Sequence, residues 1–294
     1  MLNIQGFEPD LPAATRRRVV AVLAVAVLGI STSAVLVRGM EMGPVAIAAW
    51  RCLGSAALLS PGIYLGRSEI GRSQMTGILV AGLALSLHFP LWFASLSHTS
   101  IMRSTVLVAL VPIWTGVLEW LIHGDPPPRR FWIGVGLAVP GAAIMSGSGG
   151  LEGGSLYGDA LATIGGMAWS VYMLAGRKVR QTVQITTYMG LVCLVSAVFL
   201  FPIAYLSGPL VGFGTKTWIL LVAAVLAPQL LGHQGSGYAV RYLPASIVSA
   251  VMLLEPVGAT ALGALVYHEI PSSSGLLGGV LVVSGVVAAT LSRR

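Results

Sequence analysis

Residues 109–128, ALVPIWTGVLEWLIHGDPPP, return in outline 144 positions later as residues 253–272, LLEPVGATALGALVYHEIPS. Each is an apolar, proline-containing helix that ends in an acidic residue followed by proline, and each leads into a helix of small residues. The single offset lays Pro112 on Pro256, Asp125 on Glu269, Gly134 on Gly278 and Gly141 on Gly285. The same order kept over about 30 residues points to duplication. What the copies build depends on how often each crosses its solvent boundary.

Of the 294 residues, 55% are hydrophobic and 9% charged, and the mean hydropathy is +0.86. Soluble globules carry about 25% charged residues, so most of this chain must face lipid. A hydrocarbon layer takes roughly 20 apolar residues per helix. Charge and Gly/Pro breaks cut the chain into ten such runs: 19–37, 44–65, 75–96, 101–122, 131–146, 156–176, 184–206, 217–240, 244–267 and 273–291. Ten runs also segregate the basic residues. Arg16, Arg17, Arg18, Arg67, Arg72, Arg129, Arg130, Arg177, Lys178, Arg180, Arg241, Arg293 and Arg294 fall on one side, against Arg38 and Lys216 on the other with Arg103 at its rim. The positive-inside rule makes the first side cytoplasmic, with both termini there. The expected location is a bacterial-type inner membrane. The net charge of +7 then reflects orientation, since nucleic-acid binding calls for a clustered basic face with aromatic platforms. Cys52 and Cys193 lie inside apolar runs without zinc-site or CxxC spacing, and no metal or cofactor is expected. The first run is too long for a typical cleaved signal and reads as a retained span.

Five spans per repeat is an odd number, so the second copy enters the membrane from the opposite face. The expected organisation is a cytoplasmic tail (1–18), a five-helix repeat (19–147), an extracytoplasmic linker (148–155), a second five-helix repeat (156–291) and a short tail (292–294). The fold class is therefore an all-α polytopic membrane protein, with ten transmembrane helices as two inverted five-helix repeats around a central cavity. Many secondary carriers have this architecture, with a midplane site exposed alternately to either face.

Residues 238–269, YAVRYLPASIVSAVMLLEPVGATALGALVYHE, followed by Gly278 and Gly285, resemble the second EamA repeat of the drug/metabolite transporter superfamily. Arg51, Pro112, Gly158, Asp159, Trp169, Arg177 and Lys178 fit the same pattern, and the resemblance covers about nine tenths of the chain. Length and aromatic placement are most similar to the YddG group, bacterial exporters of aromatic and other hydrophobic amino acids. The resemblance implies a ten-helix basket with a central cavity, and export from the cytoplasm. The first repeat departs from it by ending in Asp125 where Glu is usual, while charge and proline context survive.

His88 and Trp92 are four apart, so they share a helix face, with Pro90 between them able to open the backbone ladder. They read either as a cavity wall or as a packing histidine beside an interfacial tryptophan. Trp114, Trp169 and Tyr172 sit at mid-depth, where an indole N–H facing lipid has no partner; a cavity or an interhelical seam can supply one. Trp50, Trp120, Trp132 and Trp218 lie near span ends and read as anchors. The run WILLVAAVLAPQLLGHQGSGYAV (residues 218–240) combines Pro228, Gly232, Gly235 and Gly237 with Gln229, His233, Gln234 and Ser236. It reads as an interrupted or mobile helix lining a path, or as a close helix contact. Gly275 and Gly279 form a GxxxG contact.

Arg51 and Glu255 are the deepest charges, and a charge in hydrocarbon is costly enough to mark function by default. Arg51 can neutralise a substrate carboxylate or cap helix carbonyls; Glu255 can couple protons, or both can be structural. Glu119 and Arg103 are expected to snorkel to the span ends.

The leading function is export of small amphipathic solutes, above all aromatic and other hydrophobic amino acids, by alternating access. A polyspecific drug or metabolite exporter is the alternative within the class, and an intramembrane enzyme the rival outside it. No Walker A, HExxH or GxSxG segment exists, so the chain is read as a non-enzyme. The expected partners are an amino-acid-like solute and the bilayer, with no nucleic acid, as a monomer or a dimer.

Overall fold

Proline and glycine set the helix boundaries in this chain. Pro44 opens one helix at its first turn, and Gly124, at φ +83°, closes another by returning its N–H to the Trp120 carbonyl at 2.7 Å just before Pro126. Ser155 caps a third by accepting the Gly158 N–H at 3.1 Å.

A computed structural model describes residues 7, 11–98, 107–108, 110–124, 126–145, 155–267 and 273–290. Arg103, Asp125, linker residues 148–154, Glu269, Arg293 and Arg294 lie outside the described residues. Every regular element among the described residues is helical. In chain order these are α1 (Ala13–Ser31, continuing as Ser33–Arg38), α2 (Pro44–Leu58, continuing as Ser60–Leu65), a 3-10 turn (Arg67–Glu69), α3 (Arg72–His98), α4 (Val111–His123), α5 (Arg129–Met145), α6 (Leu156–Arg180) and α7 (Ile185–Ser207). Then come α8 (Thr215–Ala224, a π segment Val225–Gln234, and Gly235–Ala239), α9 (Ala245–Met252, continuing as Glu255–Tyr267) and α10 (Ser273–Thr290).

By length and composition, five segments among the described residues can cross a bilayer: Ala13–Val37, Arg72–Ser95, Ile185–Ser207, Thr215–Ala239 and Ala245–Val266. Three shorter apolar helices, Pro44–Leu58, Val111–Ile122 and Ser273–Ala289, accompany them. Two helices run past their apolar cores. α1 begins at Ala13 and takes Arg16, Arg17 and Arg18 into its first turns, and α6 carries Arg177, Lys178 and Arg180 in its last.

The helices meet where side chains are small. A Cβ on Gly134 would lie 2.4 Å from the Gly285 carbonyl, and one on Gly285 2.4 Å from the Gly134 carbonyl. A Cβ on Gly141 would meet the Gly278 carbonyl at 2.8 Å. These pairs run in opposite order, so α5 and α10 are antiparallel and nearly in backbone contact. Gly278 and Gly285 of α10 both make this approach. α3 packs on α6 and α1 on α8, α2 on α7, and α4 on both α6 and α9.

One end of the bundle gathers the basic residues. Arg18 lies 5.8 Å from the Tyr238 ring, Gln74 donates to Thr182 Oγ1 at 3.3 Å, the Gln184 N–H donates to Glu69 at 2.8 Å, and Gln181 donates to the Arg241 carbonyl at 3.4 Å. We call this the basic end. At the opposite end Trp50 donates to the Leu210 carbonyl at 2.9 Å and meets Trp218 edge-on at 5.5 Å, so two expected anchors pack on each other. Trp120 is exposed, as an anchor requires. Glu119, expected to snorkel, is instead buried: its carboxylate accepts the Ala245 and Ser246 N–H groups and pairs with Arg177. α4 ends against the start of α9, so nearness to a span end does not bring this side chain to water.

Candidate functional site

Two distorted helices face each other across the middle of the bundle. In α3 the run His88–Phe93 contains Pro90, which lacks an N–H and so leaves one backbone acceptor free. In α8 the ten residues Val225–Gln234, with Pro228 among them, are wound as a π-helix. Such turns are rare and recur at functional sites. The chain is thus continuous but rewound at the run where an interruption was expected, and the rewound turns carry Gln229 and His233 inward, both buried.

Aromatic rings close the space between them. His88 lies 5.0 Å from Trp169 and 5.8 Å from Trp92, with which it stacks; Trp169 lies 4.7 Å from His233 and 5.0 Å from Tyr172. Phe89 bridges to His233 at 5.6 Å and stacks on Phe93 at 5.9 Å. Nδ1 of His88 stands 2.9 Å from the Gly165 carbonyl, which can only accept, so that nitrogen carries the proton and Nε2 presents a lone pair in the neutral ring. Nδ1 of His233 and the indole N–H of Trp92 are buried with no hydrogen-bond partner among the described residues. The Tyr172 hydroxyl donates to the Met189 sulfur at 3.3 Å.

Arg51 borders the cluster. Only 1% exposed, its guanidinium donates to Gln229 Oε1 at 3.0 Å and reaches Ser33 Oγ at 3.5 Å, and it lies 5.1 Å from the Phe89 ring. Its Nε has no partner among the described residues. Gln229 passes its amide N–H on to Cys193 Sγ at 3.6 Å. A buried cation held by neutral groups is incompletely compensated, and an anion brought to it would be strongly held. Glu255 joins the start of α9's second segment to α1 through its backbone carbonyl, which accepts from Ser31 at 3.3 Å.

Of the residues singled out in the sequence, His88, Trp92, Trp169, Tyr172, Gln229, His233 and Arg51 thus come together. Trp114 makes no ring contact with the cluster among the described residues; its indole N–H is buried and unpartnered on α4. Ser236 is fully buried with its hydroxyl returned to the His233 carbonyl at 2.9 Å. Phe89 and Phe93 were passed over in the sequence. With His88 and Trp92 they make an aromatic stripe at helical spacing, a signal available in HFPLWF itself.

Comparisons with known proteins follow the same outline. The model of the EamA-like transporter family matches residues 17–147 and again 156–291. The Uncharacterized transporter YwfM of Bacillus subtilis (strain 168) is 27% identical over 261 residues, covering 85% of this chain and 86% of that protein. An Uncharacterized transporter of Archaeoglobus fulgidus is 24% identical over 263 residues, covering 86% and 90%. The Probable 4-amino-4-deoxy-L-arabinose-phosphoundecaprenol flippase subunit ArnE of Klebsiella pneumoniae (strain 342) is 30% identical over 108 residues, which is 34% of this chain but 96% of that one. A solved crystal structure of a protein 18% identical to this one superposes with a TM-score of 0.77, over 92% of this chain and 97% of the other, and is similar in fold.

Proposed function

The chain belongs to the EamA-like transporter family, and on that premise we propose that it is a secondary transporter exporting aromatic and other hydrophobic amino acids by alternating access. The observation that carries this reading is the buried cluster of His88, Trp92, Trp169 and His233 beside the incompletely compensated Arg51. Flat aromatic faces suit a side chain with apolar area and attract an ammonium group, and a guanidinium suits a carboxylate. A free amino acid carries all three. Nucleotide or phosphate cargo would need more buried Arg and Lys than the cluster holds.

The two matched halves are proposed to be inverted five-helix repeats enclosing a central cavity. Packing supports it: α3 on α6 is mirrored by α8 on α1, α4 on α6 by α9 on α1, while α2–α7, α4–α9 and α5–α10 each pair a helix with its counterpart. ArnE, nearly all of whose length spans a third of this chain, supports a unit smaller than the whole. The basic end is proposed to face the cytoplasm of a bacterial-type inner membrane, with the chain acting alone. Glu255 is kept as a proposed coupling group.

Counterflow in proteoliposomes tests the reading. Internal unlabelled phenylalanine should drive uptake of labelled phenylalanine and tryptophan, and glutamate or lysine should not replace it. Drug cations accepted in place of amino acids would favour a polyspecific exporter, and product formation without flux an enzyme. A cysteine placed at Ser155 should react with an impermeant reagent from outside and one at Gln181 should not; the reverse would overturn the orientation.

A further inference from the structure

α9 starts without a cap of its own. The residue at its N-cap is Pro244, which has no side-chain acceptor to offer the first N–H groups of the helix. The cap comes from the other half of the molecule. Glu119, near the end of α4, accepts the Ala245 N–H at 3.2 Å through Oε1 and the Ser246 N–H at 3.2 Å through Oε2, and takes the Ser246 hydroxyl at 2.5 Å. Arg177 of α6 completes the arrangement by pairing with Oε1. One carboxylate, 7% exposed, therefore ties α4 to two helices of the second half at the basic end.

The tie continues inward along one face of α4. One turn from Glu119, Thr115 Oγ1 and Ser249 Oγ of α9 are hydrogen-bonded at 2.6 Å. A further turn inward, the Val111 carbonyl accepts from Ser170 of α6 at 3.3 Å. Residues 111, 115 and 119 recur at the helical spacing, so a single face of α4 is bonded across to the second half from the basic end towards the centre. At the 144-residue offset the counterparts of Glu119, Thr115 and Arg177 are Gly263, Ala259 and Ser33, which cannot rebuild the ion pair and cap at the other end.

We propose that Glu119 is a latch that holds the basic end closed, and that opening a path there requires α4 to release the N-terminus of α9 and Arg177. The proposal rests on the reading that the halves move against each other, but not on the identity of the cargo. Its role is positional, since it sets which face of the molecule is closed at rest.

The test is alkylation of Ser249→Cys by N-ethylmaleimide, in a chain whose Cys52 and Cys193 are both replaced by Ala, reconstituted in nanodiscs. Ser249 is 2% exposed and lies one turn inside the latch. Adding Glu119→Gln should raise the alkylation rate about tenfold, and Arg177→Gln, which leaves the cap in place, about threefold. Should Glu119→Gln not fold, Arg177→Gln carries the test alone. A reporter at Thr217, buried at the opposite end, should not change. Unchanged alkylation at Ser249 in folded variants overturns the latch, as does an equal rise at Thr217, which would mean general loosening. A rise confined to Ser249 with no amino-acid flux would keep the latch and remove the proposed cargo.

Discussion

The seam between α5 and α10 and the seam of α4 with α6 and α9 both join the two halves, and they are built on opposite plans. At the first, Gly134 and Gly285 meet each other's carbonyls at the same 2.4 Å, and the 144-residue offset carries that pair onto Gly278 and Gly141, which approach at 2.8 Å, so exchanging the halves swaps two glycine contacts of one kind. At the second, Glu119, Thr115 and Arg177 stand where the other half has Gly263, Ala259 and Ser33. Under the proposed alternating access, a contact indifferent to exchange is equally available whichever face is open, and so it would hold the halves together without choosing between faces. Only a contact confined to one end can choose.

The largest effect is expected where the comparison is most easily broken. Gly134→Ala and Gly285→Ala each press a methyl group against backbone, which cannot give way as a side-chain tip can, and each should lower unfolding free energy by about 3 kcal/mol. Thermal unfolding in detergent should show the two losses nearly equal; a severe loss at one glycine and none at the other would end the claim of reciprocity. Next, Glu119→Ala should cost about 2 kcal/mol, because two N–H groups and a hydroxyl lose a charged acceptor. Thr115→Ala, which removes the bond to Ser249 and the hydroxyl's local bond to the Val111 carbonyl but leaves Ser249 its bond to the Ser246 carbonyl, should cost about 1 kcal/mol. Arg177→Gln should cost less than about 1 kcal/mol, since its side chain is 30% exposed and water can take the place of Glu119. If Arg177→Gln proves costlier than Glu119→Ala, the ion pair rather than the cap dominates the second seam.

Much of the helix order was legible because it depends on local signals. The offset that aligned Gly134 with Gly278 and Gly141 with Gly285 also named the residues that touch, because a seam tight enough to exclude a Cβ needs small residues in both copies. The rewinding of α8 was foreshadowed by Pro228 among glycines. Depth alone was less informative. It placed Trp114 beside Trp169, but the rotation of α4 about its axis decides which way an indole faces, and hydropathy contains no record of that rotation. Arg51 stood out through the cost of a buried charge, while its partner Gln229, 178 residues away, was visible only once α2 and α8 were seen to pack. Glu119 was misjudged for a related reason: its distance from a span end says nothing about a neighbouring helix that begins there.

The most direct test of a passage through the aromatic cluster is a pair of substitutions in proteoliposomes that separates Trp169 from Trp114. Trp169→Ala should raise the KM for phenylalanine about tenfold, as expected for loss of a ring contact worth about 1.5 kcal/mol, while Trp114→Ala leaves it within about twofold of the parent. An unchanged KM in Trp169→Ala, or a rise in Trp114→Ala alone, would contradict it.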